Sequence, residues 1–389
     1  MPARPPLNRS LDGFGTTIFA EMSALALATG AINLGQGFPD TDGPESVREA
    51  AVRALRDGRG NQYPPGMGVP ELRHAIAEHQ RRFYALDLDP DTQVLVTAGA
   101  TEAIAAAMLA LLEPGDEVIA FEPFYDSYAA CIAMAGGVRV PLTLRAPDFR
   151  PDLDALRAAV TPRTRLLLLN SPHNPTGTVL TPAELSAIAE LAVERDLLVV
   201  TDEVYEHLVF DGTHIPLASL PGMHDRTVSI SSAGKTFSFT GWKVGWATGS
   251  PELVAAVRTA KQFLTYVASG PFQYAIAEAL ALPDTYYTAI RDDLMTKRDI
   301  LAEGLTASGF QVYRPQGTYF ITTDITTFGE TDALTFCRAL PEKAGVVAVP
   351  NSVFYDHPTA GRTQVRFAFC KRQEVLTDAA SRLRKAFGA

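Results

Sequence analysis

Between about residues 90 and 250, short apolar runs alternate with longer amphipathic ones, and no other feature of the chain narrows its fold so far. The runs at 94–97, 117–121, 138–144, 165–169, 197–201, 227–231 and 244–248 have the length and side-chain content of buried strands. Helical patterns open near Thr101 and about Ser127, and occupy 152–159 and 182–195. Strands that are apolar along their whole length cannot face water on either side. The alternation therefore predicts an α/β fold: a mostly parallel sheet covered by helices on both faces. In such folds ligands sit beyond the carboxyl ends of the strands, so chemistry is expected in the residues that follow these runs.

The flanks read differently. The first forty residues, punctuated by Pro5, Pro6, Gly13, Gly15, Gly35, Gly37 and Pro39, read as an irregular arm. A helix is expected after Pro44, with Val47, Ala51 and Leu55 on one face. Past residue 280, helical stretches at 283–308, 331–344 and 372–387 surround strands at 310–313, 318–323, 346–349 and 364–369. This predicts an arm (1–40), a large domain (41–280) and a smaller α+β domain (281–389) that the arm completes.

Several function classes are disfavoured. The net charge is −10 and no Lys/Arg run stands out, which argues against nucleic acid or anionic membrane as the main partner. The longest apolar run, 103–112, is about half of a membrane span. The N-terminus holds Arg4 and Arg9, then a weak apolar patch broken by Glu21, which is not the pattern of a signal peptide. Cys131, Cys337 and Cys370 are widely separated with no CxxC spacing, so they read as buried packing residues of a reduced, cytoplasmic protein. Cys/His metal spacing, a Walker A loop, HExxH and GxSxG are all absent, and Gly66-Met67-Gly68 lacks the preceding strand of a dinucleotide fingerprint.

Four polar segments follow strands. In Ser231-Ser232-Ala233-Gly234-Lys235-Thr236, small residues leave room for a ligand against the lysine amine. A buried lysine loses basicity and becomes a nucleophile, although a surface loop lysine fits the same pattern. Asp202 ends an apolar strand, where a carboxylate needs a partner: a protonated ring nitrogen, or the backbone of the next turn. Tyr205 could face the same place. Asn174, in the loop Asn170-Ser171-Pro172-His173-Asn174-Pro175, could donate to an anionic oxygen or simply belong to a rigid turn. Thr97-Ala98-Gly99-Ala100-Thr101 forms a strand-to-helix turn whose free N–H groups suit a phosphate, or only pack the helix.

Taken together, and by their offsets, these segments resemble the fold-type I, class I pyridoxal-phosphate (PLP) aminotransferases, from about Thr16 to the C-terminus. The resemblance implies the PLP-dependent transferase (aspartate aminotransferase-like) fold. It implies that Lys235 carries PLP covalently and shuttles the substrate proton, and that Asp202 pairs with the pyridine N–H. By the same resemblance Tyr205 and Asn174 bond the PLP phenolic oxygen. Gly99, Ala100, Thr101, Ser232 and Lys243 hold the phosphate. Phe124, in Glu122-Pro123-Phe124-Tyr125, stacks on the ring. Tyr63 reaches the phosphate of a neighbouring subunit, implying a homodimer with shared active sites. Arg366 binds the substrate α-carboxylate, with Gly37 and Asn174 beside it. No metal is implied.

Many class I members have arginine where Lys243 stands. Lysine there, within Thr240-Gly241-Trp242-Lys243, is shared by kynurenine/glutamine/cysteine-conjugate, methionine and bacterial N-succinyldiaminopimelate aminotransferases. Segments 203–210, 339–350 and 369–372 look most similar to the last group, and Ala268 and Ser269 replace bulkier residues of kynurenine-type enzymes. The resemblance thus implies amino transfer between an L-amino acid and a 2-oxo acid such as 2-oxoglutarate. An N-succinyldiaminopimelate-type substrate in lysine biosynthesis is the leading expectation. Kynurenine, glutamine or methionine transamination and cysteine-conjugate β-lysis are the alternatives. A non-catalytic PLP-binding regulator is a distant one, because no basic helix-turn-helix is present.

Overall fold

A computed structural model describes residues 7–15 and 17–388. Arg4, Pro5 and Pro6 of the expected arm, and Thr16, lie outside the described residues. The alternating region forms one seven-stranded sheet. Its strands are β1 (Val94–Thr97), β2 (Glu117–Glu122), β3 (Val138–Thr143), β4 (Thr164–Asn170), β5 (Leu198–Asp202), β6 (Thr227–Ser232) and β7 (Gly245–Thr248). The spatial order is β1-β7-β6-β5-β4-β2-β3. Only β7 runs antiparallel to its neighbours; the pairs β3–β2, β2–β4, β4–β5 and β5–β6 are parallel. The expected mostly parallel sheet is therefore present. Leu166, Leu167, Val199, Val200, Val228 and Ile230 are buried on its two faces, each contributing roughly 1.5–3 kcal/mol of transfer free energy.

The register places the chemistry. Asn170 pairs with Asp202, and Asp202 with Ile230, so the carboxyl ends of β4, β5 and β6 lie side by side. Helix Gly99–Leu111 follows β1 and begins two residues earlier than its sequence pattern indicates.

The C-terminal part carries a four-stranded antiparallel sheet, ordered Val349–Pro350, Gln364–Ala368, Phe320–Asp324 and Gln311–Tyr313. The single strand expected over 346–349 is two short ones: Val346–Val347 pairs in parallel with Ile32–Asn33, and Val349–Pro350 joins the larger sheet. The arm is not wholly irregular. Helix Ile18–Thr29 is capped by the Thr17 side chain and stopped by Gly30 at φ 67°. Its residues are apolar almost all round, so no stripe marks it in sequence. Met22 and Ala26 enter one core with Ile321, Phe336, Val347 and Phe367. Leu55, expected on the buried face of helix Glu45–Arg56, is 50% exposed, while Ala50 and Ala54 complete the buried face with Val47 and Ala51. All three cysteines are free and buried. Among the described residues no helix is long and apolar enough to cross a membrane.

Candidate active site

A cavity of about 290 Å³ opens beyond the carboxyl ends of β4, β5 and β6. It is lined by Gly37, Gly99, Ala100, Thr101, Asn174, Asp202, Tyr205, Ser232, Lys235, Lys243 and Arg366. Eleven of the thirteen candidates named from sequence thus converge from segments up to 329 residues apart. The lining holds three cations, Lys235, Lys243 and Arg366, against the single carboxylate of Asp202. Such a surplus favours ligands carrying two or more negative charges.

Each side chain is placed by its local backbone. Lys235 sits in the single helical turn Ala233–Thr236 that directly follows β6. Burial pushes its amine down from the usual 10.5 to about 8, Asp202 pulls it back up, and Arg366 and Lys243 add repulsion. Asp202 ends β5 and accepts from the Tyr128 hydroxyl (2.6 Å) and the Val204 N–H (3.2 Å). Burial raises its pKa; the Tyr128 and Val204 hydrogen bonds and Lys235 oppose that rise. Burial, and then the charge of Asp202, hold the Tyr205 hydroxyl in its neutral form. The Asn170 amide donates to the Asp202 carbonyl (2.8 Å), and its oxygen accepts from Asn174 N–H (2.8 Å), which fixes the loop carrying Asn174.

At the other end, helix Gly99–Leu111 starts with no side-chain cap, leaving backbone donors directed at the cavity. Gly99 has φ 75°, and a Cβ there would stand 3.1 Å from Lys243 Nζ. Lys243 itself lies in the left-handed region at φ 54°, a conformation that non-glycine residues hold only where surroundings impose it. Together they form a cationic cradle at a helix N-terminus, the chemistry a phosphate requires.

Arg366 is buried on the strand Gln364–Ala368. It donates to Asn174 Oδ1 (2.9 Å) and Gly35 O (3.1 Å), and its guanidinium lies 4.0 Å from the Phe320 ring centroid. Its Nε is buried without a partner. Arg366 lines the cavity, and a guanidinium there with one donor lacking a protein partner fits a carboxylate ligand. Gly37 is required nearby, since a Cβ would collide with Phe320 at 2.5 Å.

One expectation fails in position. Phe124 does not line the cavity; it is buried in the core beneath helix Asp126–Met134. Tyr125 faces the cavity instead. After β2 ends at Glu122 the strand alternation lapses, and the Phe124 N–H is tied to Phe354 O (2.8 Å), which turns its ring inward. Tyr63 is 80% exposed. It lines a separate surface hollow with Ala268 and Ser269, away from this chain's own cavity. Tyr128, Asn170 and Phe320 also line the cavity, beyond the residues that the sequence pattern picks out. Tyr128 stands in the segment that held Phe124, three residues after Tyr125, so one helical turn was the available signal.

Residues 29–383 match the family model described as Aminotransferase class I and II. The chain is 56% identical to a probable N-succinyldiaminopimelate aminotransferase of Mycobacterium tuberculosis, over 96% of each chain. It is 42% identical to the methionine aminotransferase of Escherichia coli, covering 96% of this chain and 97% of that one. It is 35% identical to kynurenine–oxoglutarate transaminase 3 of Mus musculus, covering 98% and 90%. The solved structure of N-succinyldiaminopimelate aminotransferase from M. tuberculosis superposes with a TM-score of 0.95 at 55% identity, over 98% of this chain and 100% of that one. The fold, the cavity at the strand ends and these matches agree, and the chain belongs to the class I and II aminotransferases, enzymes that use pyridoxal phosphate to move amino groups between amino acids and 2-oxo acids.

Proposed function

We propose that the chain is a cytoplasmic, homodimeric aminotransferase acting on N-succinyldiaminopimelate with 2-oxoglutarate and glutamate as the exchanging pair. The observation that carries the substrate reading is the 56% identity to the mycobacterial relative over nearly the full length of both chains. Bound pyridoxal phosphate supplies an aldehyde for covalent attachment and an electron sink for the substrate's Cα.

The chain's own groups do the rest. Lys235 is the attachment point, and its amine, eased toward neutrality by burial, takes and returns the Cα proton. Asp202, with Tyr128 steadying its carboxylate, would accept from a protonated ring nitrogen. Asn174 and Tyr205 would donate to the phenolic oxygen. The first N–H groups of helix Gly99–Leu111, with Thr101, Ser232 and Lys243, would hold the phosphate. Tyr125, which lines the cavity where Phe124 does not, would cover the ring. Arg366 grips the α-carboxylate, and Gly37 and Asn174 shape the space around it.

A substrate panel tests the assignment. The kcat/KM for N-succinyldiaminopimelate should exceed those for methionine, kynurenine and glutamine by about tenfold or more, the margin a side-chain pocket gives when its polar contacts are matched. A preference for methionine or kynurenine would move the chain to that branch, which the 42% and 35% matches keep open. Pyruvate release from a cysteine conjugate without an oxo acid would reveal a β-lyase.

Tyr63 supports the dimer. It is exposed and stands edge-on to the exposed Tyr266 at 5.3 Å, so an aromatic pair awaits a cover. Sedimentation should give twice the chain mass of 41.9 kDa. Tyr63→Ala should weaken cofactor binding roughly tenfold, the usual worth of one charge-assisted hydrogen bond. A monomer with full activity would remove the shared-site reading.

A further inference from the structure

Glu122 lies outside the cavity lining yet is wholly buried. It is the last residue of β2, and a carboxylate without exposure persists only when its oxygens are fully hydrogen-bonded. Here one oxygen accepts from the Thr143 hydroxyl (2.6 Å) and the His357 Nδ1–H (2.7 Å). The other accepts the backbone N–H groups of Asp356 (2.7 Å) and His357 (3.1 Å). Three of these four donors belong to the segment after the short helix Asn351–Phe354, some 234 residues away in sequence. Arg139 on β3 adds a two-pronged ion pair to Asp356 (2.9 and 3.0 Å). The same segment carries Phe354, whose ring centroid lies 5.1 Å from the Arg366 guanidinium and whose carbonyl accepts from Phe124 N–H.

We propose that Glu122 is a positioning residue for substrate binding: its carboxylate latches the 354–357 segment to the end of β2 and so sets Phe354 against Arg366. The latch fixes the spacing between two walls of the site. Tyr125 lies three residues beyond Glu122 on one side, and Arg366 lies behind Phe354 on the other. The Arg366 guanidinium is held at its two Nη atoms by Asn174 Oδ1 and Gly35 O and packed by Phe19, Phe320 and Phe354, so a shift of Phe354 changes one of the three rings that set its aim. This proposal rests on reading Arg366 as the carboxylate fork.

The test compares Glu122→Ala, Glu122→Gln and Arg366→Lys in the cofactor-loaded enzyme. Glu122→Ala should raise KM for the amino acid and for the oxo acid together, by about tenfold, with kcat within about twofold. Cofactor affinity and absorbance spectrum should not change. Glu122→Gln should restore most of the loss, since its carbonyl can accept both backbone N–H groups and its amide can face Thr143. A purely structural Glu122 would lower Tm and leave KM at the wild-type value, and that result overturns the latch. If Glu122→Ala does not fold, His357→Ala carries the same readout. Its side chain is 61% exposed, and losing one donor should raise both KM values about threefold; unchanged values overturn the proposal. Arg366→Lys separates the two ideas. Raised KM there with flat KM in the Glu122 variants refutes only the latch. Flat KM in Arg366→Lys refutes the carboxylate reading beneath it.

Discussion

Lys235→Ala is expected to lower turnover by on the order of 10⁴-fold or more, because the proposed mechanism makes one side chain both the attachment point and the proton carrier. Lys235→Arg should be as inactive: it keeps the charge near Asp202 but offers no nucleophile. Equal loss in both variants assigns the effect to amine chemistry and not to charge balance. Borohydride treatment of the wild-type holoenzyme followed by peptide mapping should place the reduced cofactor's mass on the peptide containing position 235. The pH dependence has a definite sign. Burial brings the amine down to about 8, and only the neutral amine attacks an aldehyde. The rate at which cofactor-free protein captures PLP should therefore climb about tenfold per pH unit below 8 and level off above it. A rate that kept climbing toward pH 10 would mean an ordinary exposed lysine. Substantial turnover by Lys235→Ala would remove the foundation of the assignment.

The position of Lys235 was legible because its signals are local: an apolar strand, then small residues, then one amine. The same holds for Asp202 at the end of β5 and for the uncapped helix start at Gly99. What sequence concealed depends on contacts between distant segments, or on the direction a side chain takes once regular alternation ends. Phe124 and Tyr125 are adjacent aromatics just past β2, and nothing in their order says which ring turns inward. The decision is made by Phe354, 230 residues later, through one backbone hydrogen bond. The Tyr128–Asp202 bond spans 74 residues, and the packing of Phe320 on Arg366 requires the pairing of two antiparallel strands. Helix Ile18–Thr29 escaped for the opposite reason. Its residues are so uniformly apolar that 3.6-residue periodicity has nothing to contrast with. Tyr63 shows a third limit: on this chain it is an exposed aromatic, and the role proposed for it at a second chain's phosphate leaves no mark on a single chain.

Asp202→Asn separates the shape of the site from its charge. The amide matches the carboxylate in size, so the backbone of β5 and the Tyr128 ring need not move. What disappears is the anion at the end of the strand. Burial already opposes that charge, and the Tyr128 hydroxyl, the Val204 N–H and Lys235 together sustain it. A buried carboxylate maintained against its desolvation cost is a candidate for function before stability. Replacing it should leave Tm unchanged or raise it, because a charge is removed from a buried place. Turnover should fall by about 10³-fold, since a ring nitrogen facing a neutral amide loses the partner that keeps it protonated. The loss should appear in kcat of both half-reactions with little change in KM, as the contact proposed between Arg366 and the carboxylate is untouched. Tyr128→Phe should be milder, about threefold to tenfold in kcat, because it removes one donor and leaves the anion in place. If Asp202→Asn retained more than about a tenth of wild-type kcat, a drop under 1.4 kcal/mol, the carboxylate would not be the partner of the ring nitrogen. Its hydrogen bonds to Tyr128 and Val204 would then account for its presence at the end of β5.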